Sequence, residues 1–433
     1  MSHAARSLPE TPAPPPTAFA IPTERLTLPN GLVVLLSPDP SVASVAVTMS
    51  FAAGTEYEPA QRSGLAHLVE HVMAIGPTPE TDYAGILERR GAVKFNGFTT
   101  YDSLRYEVVL PAAQLPVALW AFADRLGTLP ALIDAAAVEK SRRIVFQERA
   151  LVLADQPFGL VDEIVAKDLY PAPHPLHGGV LGVESELATA TVADIHDYVS
   201  KYLVPANAVL TVVGNFDPKV VKPLLQDTLG LLPGGTRAQP PAIAPMEPSG
   251  AVVDKHPEVH SRVPRVTVAW RFPSQVIAAA TTLELGAYLL NVQTDGAWGM
   301  RIDADFVQYA GESTFRFDLV LPYAETMDAA QSDATSFVRF LTRREANVEL
   351  MQLANLALDR ANLMMLDTLD GRASALTRLE RLYGDMKPED YFSEHWRVDN
   401  FTVRDTARAC LSGPGVVIHA RPIHPRPPRG ERE

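Results

Sequence analysis

Residues 233–250, PGGTRAQPPAIAPMEPSG, carry five prolines and three glycines. Proline lacks an amide hydrogen and glycine lacks a side chain to pack, so neither a helix nor a central strand is expected to run through such a stretch. The chain is therefore expected to fold as two bodies, 23–232 and 251–433, joined by this linker. Its 433 residues exceed what one hydrophobic core usually serves, and roughly 200 residues per body is an ordinary domain size. Apolar residues make up 47% of the sequence, enough to fill two cores. Residues 1–22 hold six prolines and are expected to form an extended arm outside both.

Each half mixes strand and helix signals. GLVVLLSPD (31–39) and SVASVAVTMSF (41–51) carry β-branched residues with partial alternation, separated by a Pro-Asp-Pro turn, and predict two strands. A helix follows, with Ser63 as its expected N-cap. AVLTVVGNFDPKVVKPLLQDTLGLLP (208–233) predicts a strand, a helix start at Asn-Phe-Asp-Pro and an amphipathic helix. Beyond the linker, RVTVAWRF (265–272) predicts a strand, and TTLELGAYLLN (281–291) and TMDAAQSDATSFVRFLTRR (326–344) predict helices. No strong residue-level repeat joins the halves, but their similar length and mixture point to an α+β fold of two related domains.

Thirty-eight basic against fifty-one acidic residues give a net charge of -13. Such a surface argues against nucleic acid or an anionic membrane as partner and suits a basic peptide better. No apolar run reaches the roughly 18 residues of a membrane-spanning helix. The single cysteine, Cys410, cannot close an intrachain disulfide, and the first residues lack the apolar core of a signal peptide; the expected compartment is the cytoplasm.

The chemistry concentrates in SGLAHLVEHV, residues 63–72. On a helix, Leu65, Leu68, Val69 and Val72 fall on one side and His67, Glu70 and His71 on the other. The ordinary reading of the second side is a solvent-facing polar stripe. The sharper reading rests on spacing: histidines at i and i+4 can grip one zinc ion, and a carboxylate beside them can act as general base on water, the H-x-x-E-H order of inverzincins. A catalytic zinc needs a third protein ligand. In AAAVEKSRRIVFQERALVLAD (135–155), Glu148 projects into a stripe of Ile144, Val145, Leu151 and Val152, where a buried charge needs a metal or an ion pair. Arg142 and Arg143 are the competing partners. Glu139 projects to the opposite, solvent side.

HLVEH, with Glu148 lying 77 positions beyond His71, resembles the M16 or pitrilysin-like peptidases, which include insulin-degrading enzymes and mitochondrial processing peptidases, and is most similar to bacterial subunits of that family. NGFTTYDSLRYEVVLPAAQLPVALWAFADRL (96–126), VFQERALVLADQPFG (145–159), HPLHGGVLG (174–182) and YLVPANAVLTVVGNFD (202–217) look like family blocks in family order.

The resemblance implies a catalytic first domain and a second without a metal motif; no H-x-x-E-H follows residue 250. It implies zinc held by His67, His71 and Glu148, Glu70 as the base, and Asn96 near the substrate. It further implies that Arg301 and Tyr309 hold the substrate backbone. Their segment, GMRIDADFVQYAGES, lacks the family's Leu-Arg-Glu and Gly-Leu-Ala steps, which leaves open that both are residues at the edge of the core. Ser141 stands where some relatives carry an additional acid. The implied activity is peptide hydrolysis without a covalent intermediate. One such chain is half of a clamshell, to be completed as a homodimer or as a heterodimer with a related subunit. The alternative is a non-catalytic scaffold subunit of the same fold, against which the complete set of ligands and base argues.

Overall fold

The computed structural model describes residues 20–239, 253–255, 257–273, 277–294, 301–309, 311–321, 338–343, 346, 348–411, 413 and 415–423. Residues 1–19 of the expected arm, 240–250 of the expected linker and most of the expected helix 326–344 lie outside them; 338–343 are helical.

Six strands form the first sheet: β1 (Glu24–Thr27), β2 (Val33–Pro38), β3 (Ser44–Phe51), β4 (Lys94–Thr99), β5 (Leu104–Pro111) and β6 (Ala208–Gly214), in the order β1-β2-β6-β3-β5-β4. The second sheet holds β7 (Val253–Lys255), β8 (Glu258–Val259), β9 (Arg265–Pro273), β10 (Arg301–Gln308), β11 (Glu312–Val320) and β12 (Val416–Pro422). Its order is β10-β11-β9-β12-β7, with β8 also beside β12. The two sheets repeat one plan. The last strand of each half inserts between two early ones: β6 runs parallel to β2 and antiparallel to β3, as β12 does to β7 and β9. Three antiparallel strands then run out to one edge of each sheet, the hairpin β4-β5 pairing through β5 with β3 in one and the hairpin β10-β11 pairing through β11 with β9 in the other.

The helices are α1 (Leu65–Ile75), α2 (Leu115–Gly127), α3 (Ala135–Asp155), α4 (Gly159–Leu169), α5 (Val192–Tyr202), α6 (Pro218–Asp227), α7 (Ile277–Thr294), α8 (Val348–Asp367), α9 (Leu369–Tyr383) and α10 (Asn400–Leu411), besides shorter turns. The expected strands appear as β2, β3, β6 and β9, and the expected helix start at 215–218 appears with Asp217 accepting the Lys219 amide at the head of α6.

Alternation along the strands gives each sheet two buried faces. Val34, Leu36, Val45, Val47 and Met49 point to the main core with α1, α2 and α5. Leu35, Ala46, Val209 and Val213 point the other way, onto Ala373 and Leu376 of α9, a helix from the second half of the chain. The reverse holds in the second sheet, where Ala269, Val416, Ile418 and Ala420 meet Val161, Val165 and Leu169 of α4. The halves thus exchange one helix each. Ion pairs fasten both crossings: Lys94 to Asp370 at 2.6 Å and Arg372 to Asp39 at 2.8 Å for α9, Arg316 to Asp162 at 2.7 Å for α4.

Candidate metal centre

Helix α1 lies on the main-core face of the first sheet, packed against β4, α3 and α5. Leu65, Leu68, Val69 and Val72 enter the core as the helical projection requires. The opposite side is no solvent stripe: His67 and Glu70 are buried and His71 is partly buried.

The start of α1 corrects the expected Ser63 cap. Gly64 is the N-cap, at φ 90°, and no side chain caps from that position. The left-handed turn carries Ser63 out of reach, and its amide donates instead to Glu186 at 2.9 Å. Glu58 replaces it: its carboxylate accepts the amides of Gly64 at 3.0 Å and Ala66 at 2.8 Å. These bonds oppose a strong upward push on its pKa from complete burial, and they satisfy donors that a helix start leaves free.

Helix α3 begins where Asp134 accepts the Ala137 amide at 2.8 Å, and four turns on it presents Glu148 to α1. His71 Nε2 lies 3.1 Å from His67 Nε2 and 3.2 Å from Glu148 Oε2, and His67 Nε2 lies 3.5 Å from that oxygen. Tetrahedral bonds of about 2.0–2.1 Å to zinc place ligand atoms roughly 3.3 Å apart, so this triangle has the edge lengths of one face of a zinc site. Among the described residues no other group of His, Cys, Asp and Glu converges in this way. Hydrogen bonds with His67, and then His71, hold the Glu148 carboxyl well below the usual carboxylate range.

The ion-pair alternative for Glu148 does not occur. Arg142 is engaged by Glu139 and by the carbonyls of Leu187 and Ala190, and Arg143 by the carbonyl of Glu139. The expected burial is also corrected, since the Glu148 side chain is 44% exposed and Leu151 is 58% exposed. Only Val145 of that stripe is fully buried, because the last turns of α3 extend past the surface on which its middle packs.

Glu70 is held differently. Burial pushes its pKa up, against the pull of His67, the hydroxyl of Thr99 and His71. Thr99 Oγ1 donates to Glu70 Oε2 at 2.7 Å, Tyr106 Oη donates to the Glu70 carbonyl at 3.0 Å, and Gly97 leaves room for its carboxylate. Sequence reasoning passed over all three of these residues, and Glu58 as well.

Asn96 is exposed on β4, the strand against which Glu70 rests, and β4 is the edge of its sheet. Arg301, on the edge strand β10, is exposed and paired with Asp303 at 2.8 Å. Tyr309 lies where the halves meet, its ring centroid 4.8 Å from that of Tyr101. Neither makes a described contact with His67, His71, Glu70 or Glu148. Ser141 is buried.

The chain belongs to the M16 peptidase family: residues 33–173 match the family described as "Insulinase (Peptidase family M16)" and 189–322 the one described as "Peptidase M16 inactive domain". "Zinc protease PqqE" of Helicobacter pylori is 29% identical over 201 residues, 46% of this chain and 44% of that protein. "Mitochondrial-processing peptidase subunit beta" of Blastocladiella emersonii is 25% identical over 229 residues, 51% and 47% of the two chains. In these alignments the chain spans about half the length of the curated relatives it matches. The crystal structure of a protease from Helicobacter pylori superposes with a TM-score of 0.81 at 20% identity, covering 93% of this chain and all of that one, and shares the fold. Among the described residues no helix is long and apolar enough to cross a membrane.

Proposed function

We propose that the protein is a zinc metalloendopeptidase that hydrolyses peptides or small unfolded proteins. The observation that carries this reading is the convergence of His67, His71 and Glu148 at zinc-like spacing with the buried carboxylate of Glu70 beside them. The donor set fits zinc: two imidazole nitrogens and one carboxylate oxygen are the three protein ligands of a catalytic zinc, whose fourth position belongs to water or substrate. Zinc, when bound, supplies Lewis acidity that acidifies water and polarises the scissile carbonyl. Glu70 takes the proton from the attacking water and returns it to the leaving amine. An extended peptide added along the free edge of β4 would pass Asn96 and come within reach of Glu70, with main-chain hydrogen bonds supplying affinity independent of sequence. Arg301 and Tyr309 are proposed as further peptide contacts.

In this reading one chain is half of a chamber, completed by a second copy or a related subunit, and it works in the cytoplasm. A scaffold without activity would have no use for a buried carboxylate oriented beside a complete ligand set. The test is Glu70→Gln, which keeps size and shape. It should retain zinc and lose peptide hydrolysis by about 10²- to 10⁴-fold. Hydrolysis at the parental rate with zinc retained would sink the assignment. Light scattering on the same samples should show a particle of twice the 47.0 kDa chain; a fully active monomer would remove the chamber from the reading.

A further inference from the structure

A glutamate side chain has three rotatable bonds, and a general base works only when its oxygen is held within hydrogen-bond reach of the proton it takes. Nothing in the H-x-x-E-H motif fixes those torsions. Strand β4 does so from across the site. A Cβ on Gly97 would stand 2.6 Å from Glu70 Oε1 and 2.9 Å from its Cδ and Cγ, so the carboxylate lies in a space that any other residue would fill. Two positions along, on the same face of the strand, Thr99 Oγ1 donates to Glu70 Oε2 at 2.7 Å. The Tyr106 hydroxyl, on the neighbouring strand, fixes the main-chain carbonyl of Glu70 at 3.0 Å.

We propose that Thr99 is a positioning residue for Glu70, its hydroxyl holding Oε2 while Oε1 lies in the slot left by Gly97, so that Oε1 is the oxygen left to take the proton from the attacking water. This rests on the peptidase reading. The division of labour follows from hydrogen-bond capacity: a carboxylate oxygen engaged by a fixed hydroxyl is the poorer proton acceptor, and a carboxylate anchored through one oxygen has a single orientation for the other. A threonine that served only as strand filling would be replaceable by any β-branched residue.

The decisive pair is Thr99→Val, which keeps shape and branching and removes the donor, and Thr99→Ser, which keeps the donor. The valine variant should keep its zinc and its fold and lose about ten- to a hundredfold in kcat, as expected for a hydrogen bond to a charged group. Its KM should stay within about twofold, and serine should bring kcat back to within about threefold of the parent. Crystal structures give a readout independent of activity: the Glu70 carboxylate should leave the Gly97 slot in the valine variant and occupy it in the serine variant. An unchanged kcat in an active valine variant, or a carboxylate that stays in place there, overturns the proposal. Failure of the peptidase reading looks different, as a parent without hydrolysis or a Glu70→Gln variant as active as the parent. The two crystal structures then decide the positioning contact alone.

Discussion

The two halves share a sheet plan and differ in what their helices carry. In the first, α1 crosses its sheet beside β4 and presents His67, Glu70 and His71, while α3 brings up Glu148. In the second, α7 packs on β10, against α8 and α10, as α1 packs on β4, against α3 and α5. Its sequence there is TTLELGAYLLN, buried at Leu283, Leu285, Leu289 and Leu290 and holding one carboxylate, Glu284. The outward side of α8 carries exposed Leu353, Leu356, Leu363 and Met364 instead of a ligand. One scaffold therefore supports a polar cluster in one half and an apolar layer in the other. The fold depends on alternation and helix faces, and the proposed chemistry on four side chains that the fold does not require.

That difference predicts the largest effect. The parent should hold about one zinc per chain by elemental analysis. His71→Ala or Glu148→Ala should release it with the fold retained, because each removes one of the three proposed ligands from a partly exposed site. Glu284→Gln, on the corresponding helix of the other half, should leave zinc content unchanged. Retained zinc in both alanine variants, or its loss from Glu284→Gln, would erase the distinction between the halves.

What the sequence disclosed follows from where its partners lie. Strands β2, β3, β6 and β9 were legible because alternation is a local pattern, and HLVEH because i, i+4 spacing is local too. Glu148 was legible as an unusual carboxylate, yet its exposure was misjudged, since helical projection cannot say where along α3 the supporting surface ends. Glu58 escaped notice because its acceptors' partners, the amides of Gly64 and Ala66, are brought to it by an irregular turn. Thr99 sits 29 positions from Glu70, and only the course of β4 beside α1 joins them. The exchanged helices were hidden for the same reason: an apolar helix face announces that it needs a sheet and leaves open which one.

The exchange supplies the second prediction. Leu376 on α9 and Leu169 on α4 are both buried in the opposite half. Leu→Ala at either site should cost about 2–5 kcal/mol. Because each helix covers the other half's sheet, both substitutions should shift one common unfolding transition, followed by denaturant titration with far-ultraviolet circular dichroism. If either variant instead shows two transitions, with only one displaced, the halves are separate folding units and the exchanged helices are surface decoration.

The smallest effect belongs to the junction itself, where the two halves meet around Glu56. This residue is 3% exposed, and Gly311 of the second half lies close enough that a Cβ there would be 3.6 Å from Glu56 Oε2. Burial, and then the charge of Asp102, push its pKa from 4.5 up to about 8, against the pull of Arg381 on α9. The folded form holds a proton that the unfolded chain has released, so between pH 4.5 and about 8 this group makes stability fall as pH rises, levelling off above that window. One proton sets the limit at about 1.4 kcal/mol per pH unit. Glu58 is raised as well and tilts the parent the same way, so the informative quantity is the difference between the parent and Glu56→Gln. The amide mimics the protonated acid and cannot ionise. Urea midpoints should therefore nearly coincide near pH 5, with the glutamine variant the more stable of the two above pH 8. A constant difference across that range would mean that Glu56 is already charged at the junction, and that the halves meet through an ion pair with Arg381 instead of a protonated acid.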